Sequence, residues 1–168
     1  MLASEIKTWN DAARYELEFH DRNAVHASDY AIDSIRTRGP RLIEQAQPQE
    51  LAQSGAQWRL GHFIISTGTL ACRALKDKGQ WDIDQMVNLL CNKQHDYGTG
   101  NILAFGIMGI AVRMSDKIER LNNLTRNISS NPIPRNESLL DTLMDIVGYA
   151  VVTGMVIANH FTLELADE

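Results

Sequence analysis

Glu137, Asp141 and Asp145 recur at steps of four, with Ser138, Thr142 and Tyr149 beside them. At about 100° per residue this spacing lines three carboxylates along one slowly drifting helix face. Early in that helix the acids suit an ordinary solvated surface. By Asp145 the surroundings have changed, because the run Leu143-Met-Asp-Ile-Val-Gly-Tyr-Ala-Val-Val152 is apolar on nearly every side. A helix of that kind is buried, and a carboxylate within it must be paired, protonated or bound to a metal. Asp145 is therefore either a functional acid or one half of a structural ion pair.

Partners are available one segment earlier. Arg113, Asp116 and Arg120 fall within about 60° of one another on a helical wheel, with Lys117 and Asn123 flanking them. Ile110, Met114, Ile118 and Leu121 form the adjacent apolar stripe. One reading is an exposed, salt-bridged edge. The other places these groups opposite the Glu137–Asp141–Asp145 face, since two helices joined by about a dozen residues are expected to pack antiparallel. Facing carboxylates in a bundle can chelate Mg²⁺, and guanidinium groups beside them can hold triphosphate oxygens. A third cluster, Lys93-Gln-His95-Asp96-Tyr97-Gly98, reads as a turn. There Tyr97 offers a stacking face for a base, although the same residues also suit a helix end closed by a left-handed Gly98. His62 reads as a core or surface histidine, and His20, His26 and His160 carry no legible role. No glycine-rich phosphate loop, CxxC pair, GxSxG elbow or HExxH occurs.

The elements that must position these groups are helical. Four prolines, at 40, 48, 132 and 134, divide the chain into long stretches with steps of three and four between apolar residues. The spacing predicts helices over Ser4–Asp21, over His26–Arg38 (ended by Gly39-Pro40), over Trp58–Lys76, from an Asp82–Gln85 capping box to about Gln94, over Asn101–Leu124, and over Glu137–Phe161. Gly106 and Gly109 in the long fifth segment permit a bend or a close neighbour. Arg41–Gln57 reads as short helix plus loop, and Thr125–Arg135 as a polar loop. The expectation is one all-α domain, a bundle of six or seven helices.

Composition narrows the function. The 168 residues carry 16 basic and 21 acidic side chains, a net charge of −5. That balance argues against polymeric nucleic acid as the partner while leaving room for a small phosphorylated ligand on a local basic cluster. Cys72 and Cys91 are too few for a disulfide scaffold, and the charged N-terminal stretch does not read as a signal peptide, so a cytoplasmic protein is expected. The most apolar segment, Ile146–Ala158, is 13 residues, shorter than a membrane span needs.

Three motifs in this order, Lys93-x-x-Asp96-Tyr97-Gly98, Arg113-x-x-Asp116-Lys117-x-x-Arg120-Leu121-x-Asn123-Leu124 and Glu137-Ser138-x-x-Asp141-Thr142-x-x-Asp145-x-x-x-Tyr149, resemble the nucleotide modification associated domain 1 family. Its members are found largely in bacteriophages and are related to the all-α, MazG-like nucleotide pyrophosphohydrolases. The resemblance implies a MazG-like core over about residues 58–161, with residues 1–57 as a helical extension, and a dimer or tetramer in the host cytoplasm. It also implies Mg²⁺-dependent hydrolysis of a deoxynucleoside triphosphate to monophosphate and pyrophosphate, in phage nucleotide metabolism or DNA base modification. On that reading Asp116, Glu137, Asp141 and Asp145 hold metal and carry catalysis. Lys93, His95, Asp96, Tyr97, Arg113, Lys117, Arg120, Asn123 and Tyr149 then contact the nucleotide. The chain departs from the MazG pattern, however. Arg113-x-x-Asp116 stands where Glu-x-x-Glu is expected, and Glu137 and Asp141 are spaced by four instead of three. Arginine in place of a metal ligand favours anion capture over metal chemistry. The alternative expectation is thus a non-catalytic nucleotide-binding module, sequestering a signalling nucleotide or serving a modification pathway.

Overall fold

Polar caps start the helices. Thr8 Oγ1 accepts the Asp11 N–H at 3.2 Å while an Asp11 oxygen accepts the Thr8 N–H at 3.0 Å, a reciprocal box that opens α1 (Trp9–Ala24). The computed structural model describes residues 2–25, 30–53, 55–126 and 138–166. After α1 come three short helices, α2 (Ala31–Arg36), α3 (Gly39–Gln45) and α4 (Pro48–Leu51), and then four long ones. These are α5 (Ala56–Asp77), α6 (Ile83–Tyr97), α7 (Gly100–Arg126) and α8 (Leu139–Ile157). The protein is an all-α bundle, with no strand among the described residues.

Several boundaries move from those expected. Gly39-Pro40 opens α3 instead of only ending the helix before it, because proline is tolerated in a first turn where its missing N–H leaves no bond unmade. Helix α6 begins where Asp82 accepts the Gln85 N–H at 2.9 Å and continues through His95 and Asp96 to Tyr97. The turn expected at residues 95–100 is therefore reduced to Gly98 and Thr99, with Gly98 at φ 62°. Of the helix expected over 26–38, residues 26–29 lie outside the described residues, as do 127–137 of the α7–α8 connection.

Helix α8 sits at the centre, touching α1, α5, α6 and α7. It is 19 residues, long and apolar enough to cross a membrane by length and composition, but 56% of that stretch is buried inside the fold. The 13-residue apolar segment read from sequence is extended by the two turns that precede it. Helix α5 approaches α8 so closely that a Cβ on Gly68 would stand 2.1 Å from that of Ala150. The stripe Ile110, Met114, Ile118 and Leu121 of α7 is fully buried, as its spacing required. The early helices share the same core through Trp9, Leu17, Ile35 and Leu42. They are pinned by polar contacts as well. Arg38 donates to Ser66 and Thr67 of α5 and lies over the Phe63 ring, and Arg36 pairs with Asn122 of α7. Helix α7 bends at Gly106, whose φ of 55° and ψ of −149° are not helical and favour a residue without Cβ.

Candidate functional site

Asp145 projects from α8 where α6 and α7 both come within reach. Its side chain is only 15% exposed, and it is paired on each oxygen. Lys93 Nζ of α6 donates to Oδ1, and Lys117 Nζ of α7 donates to Oδ2 at 2.7 Å. Burial pushes the Asp145 carboxyl upward, but the two ammonium groups outweigh it and hold the group below the usual carboxylate range. The acid is thus charged and paired, as the cost of burying it alone demands.

This trio lies on the wall of a cavity of about 440 Å³, within the range of about 300–1,000 Å³ typical of small-molecule sites. Arg113, one turn before Lys117 on α7, lines the same space, giving three cations against one carboxylate. Along α8 the lining continues from Asp145 through Gly148 and Tyr149 to Val152, about 10 Å at the rise of a helix. Gly148 lets α6 come near, since a Cβ there would already lie 3.0 Å from Leu90. The ring of Tyr97, mostly exposed, stands with Gly98, Asn101 and Ile102 where α6 passes into α7. Trp9 and Phe161, edge to face at 6.3 Å, complete an aromatic wall. One cavity therefore offers cations and flat rings together.

No family model, curated protein or solved structure matches this chain. The resemblance to the nucleotide modification family accordingly rests on the three motifs alone.

Of the residues singled out from sequence, Lys93, Tyr97, Arg113, Lys117, Asp145 and Tyr149 come together on this cavity. The others go elsewhere or are not described. His95 and Asp96 are exposed in the last turn of α6, 3.4 Å from each other and off the cavity wall. Asp116 is exposed and lines an adjoining groove beside Arg113, Phe105 and Met108. Arg120 and Asn123, further along α7, do not line the cavity. Asp141 is occupied at the start of α8, where Oδ2 accepts both the Ser138 N–H at 2.9 Å and its hydroxyl at 2.8 Å. Glu137 lies outside the described residues.

The fit to Mg²⁺ follows from these placements. A Mg²⁺ site needs oxygen ligands free to converge. Asp145 is engaged by two lysines, Asp141 closes a capping box and Asp116 faces another groove. Among the described residues no three His, Cys, Asp or Glu side chains gather closely enough to hold a metal. The described carboxylates do not fit that ion in this arrangement. Gln94, Asn101, Trp9 and Phe161 are among the lining residues that sequence reading missed. An aromatic residue on an apolar helical stripe carries the same pattern whether it fills a core or walls a cavity.

Proposed function

We propose that the cavity binds a nucleotide and that the protein acts as a nucleotide-binding module. Lys93, Arg113 and Lys117 hold the phosphates, and the rings of Tyr97 and Tyr149 take the base. The reading is carried by one observation: the half-buried carboxylate of Asp145 serves as counter-ion to two cavity-lining lysines. A charged carboxylate between two ammonium groups keeps both in place before any ligand arrives, which lowers the ordering cost of binding an anion. Guanidinium and ammonium donors form strong charge-assisted bonds to phosphate oxygens. Aromatic faces add base stacking of about 1–3 kcal/mol each.

The test is to incubate the protein with a pooled nucleotide panel, once with Mg²⁺ and once with EDTA, and to chromatograph the free and bound fractions separately. One nucleotide retained unchanged in both conditions is the expected result. No retention in either condition overturns the proposal. Monophosphate and pyrophosphate appearing only with Mg²⁺ replaces it with hydrolysis, the activity the motif resemblance implies.

A further inference from the structure

Helix α7 leaves an apolar face uncovered. The chain carries no charged residue from Gly98 to Val112, and Leu103, Phe105, Met108 and Val112 are all exposed there, Phe105 at 60%. The bend at Gly106 and the bare backbone of Gly109 shape this face. A Cβ on Gly109 would lie 2.5 Å from that of Phe105, so the phenylalanine folds over the glycine and keeps most of its surface in the open. Phe105, Met108, Gly109 and Val112 wall a groove of about 420 Å³ that ends at Arg113 and Asp116. An exposed apolar patch with a polar rim marks an interaction site, and here the rim indicates the partner. Arg113 and Asp116 are both exposed, and neither side chain makes an ion pair or hydrogen bond among the described residues. One cation and one anion on the same rim form a pattern that is its own complement. Turned about a two-fold axis, the cation of one copy meets the anion of the other. A bilayer with anionic lipids would instead favour a rim of cations, and the net charge of −5 opposes it.

We infer that this face of α7 is the interface of a homodimer, in which Phe105 of each copy enters the groove of the other and Arg113 of one copy pairs with Asp116 of the other. Burying the apolar residues supplies the driving force, and the crossed charges set the register. The inference does not depend on what the neighbouring cavity binds. It does place the second copy at the edge of that cavity, because groove and cavity share Asn101, Ile102 and Arg113. A guanidinium carries five N–H donors, enough for Arg113 to face the second copy and the cavity together.

The experiment is sedimentation equilibrium at micromolar concentrations, without added nucleotide. Wild-type protein is expected at twice the chain mass of 18.8 kDa. Phe105→Asp and Val112→Asp, at residues 60% and 52% exposed, are each expected at the single-chain mass with an unchanged far-ultraviolet circular dichroism spectrum. Ile43→Asp, at an exposed apolar residue of α3, is expected to stay dimeric, which separates this face from general stickiness. Asp116→Arg sets arginine against arginine and is expected to give monomers, and adding Arg113→Asp in the same chain is expected to restore the dimer. A monomeric wild type overturns the inference, and one that floats with phosphatidylcholine vesicles gives the face to a bilayer instead. A dimer that persists in Phe105→Asp and Val112→Asp also overturns it, as does a double charge swap that stays monomeric. Each of these results leaves the nucleotide reading to its own test.

Discussion

Lys93 of α6 and Lys117 of α7 are held together across one carboxylate, each ammonium on its own oxygen of Asp145. Like charges on neighbouring helices would repel, yet here they share a largely buried counter-ion on a cavity wall. The arrangement ties α6, α7 and α8 at a single point. It also leaves the site net positive once Arg113 is included. The second lysine, with Arg113 beside it on the cavity wall, is what the proposed anion binding rests on.

Removing either cation of that group separates binding from folding. Lys117→Met keeps the aliphatic stem while deleting the charge, and Arg113→Ala removes an exposed guanidinium. Each variant should weaken nucleotide binding by about 1.5–3 kcal/mol, roughly ten- to a hundredfold in Kd. Calorimetric titration measures this. Unchanged dissociation constants in both variants would remove the cavity from consideration.

Asp145→Asn separates the two chemistries. If the carboxylate holds Lys93 and Lys117 in place for an anion, its loss weakens tripolyphosphate binding to the same extent with Mg²⁺ and in EDTA. If it ligates a metal, Mg²⁺-dependent binding or turnover disappears. The pH dependence of stability is a separate signature. A carboxyl held below its usual range stabilises the fold above the unfolded pKa and loses that contribution as pH falls through the folded value. The wild-type melting temperature should therefore drop more steeply below about pH 4 than that of Asp145→Asn.

Helix-level order was legible in the sequence where periodicity was strong. The Ile110–Met114–Ile118–Leu121 stripe is buried as its spacing demanded, and an acid amid apolar neighbours at 145 proved to be paired. Local punctuation misled at Gly39-Pro40, since the same dipeptide suits a helix start as well as a helix stop. Gly98 suggests a turn that takes in His95 and Asp96, but neither residue breaks a helix and α6 runs through both. The aromatic wall was not legible at all. Trp9 and Phe161 come from opposite ends of the chain, and only tertiary packing brings them together.

Asp141 tests whether a motif acid works for the fold or for the ligand. Its carboxylate closes the Ser138 box at the start of α8. Asp141→Ala should then cost about 1 kcal/mol of stability, as loss of capping interactions does. Nucleotide affinity in EDTA should not change. Thermal melts and titration of one preparation read both quantities. A wild-type melting temperature coupled with lost binding would give the residue back to the site.

The α5–α8 contact predicts a steric failure at residues that do not line the cavity. In Gly68→Ala the added methyl would lie 2.1 Å from the Ala150 Cβ, with the His20 ring 3.3 Å away. The helices must separate, at a cost of about 1–3 kcal/mol or more. Ala150→Gly in the same chain removes the nearest obstacle and should restore part of the loss. Such coupling is expected for residues in direct contact. Denaturant melts of the two single variants and the double variant measure it, and simple additivity would refute the contact.

One turn apart on α1, Glu16 and His20 pull stability in opposite directions. The Glu16 carboxylate lies against α8, so close that a Cβ on Gly154 would meet its Oε2 at 2.2 Å, and burial pushes its carboxyl up to about 7. A raised acid favours the protonated form in the fold. Its stabilising effect is complete below the unfolded value and is lost as pH rises through about 7. His20 is fully buried, and burial lowers it to about 4, so the fold keeps it neutral and loses stability as pH falls from the unfolded value toward 4. Between about pH 4.5 and 6.5 the two slopes oppose each other. Glu16→Gln removes one of them. The variant should melt higher than wild type at pH 8, by the equivalent of about 1–3 kcal/mol, and match it near pH 4.5. Its own melting temperature should fall on acidification across that window, exposing the histidine that the wild-type glutamate offsets. A constant difference between the two proteins at every pH would show that the Glu16 carboxyl does not titrate in this range.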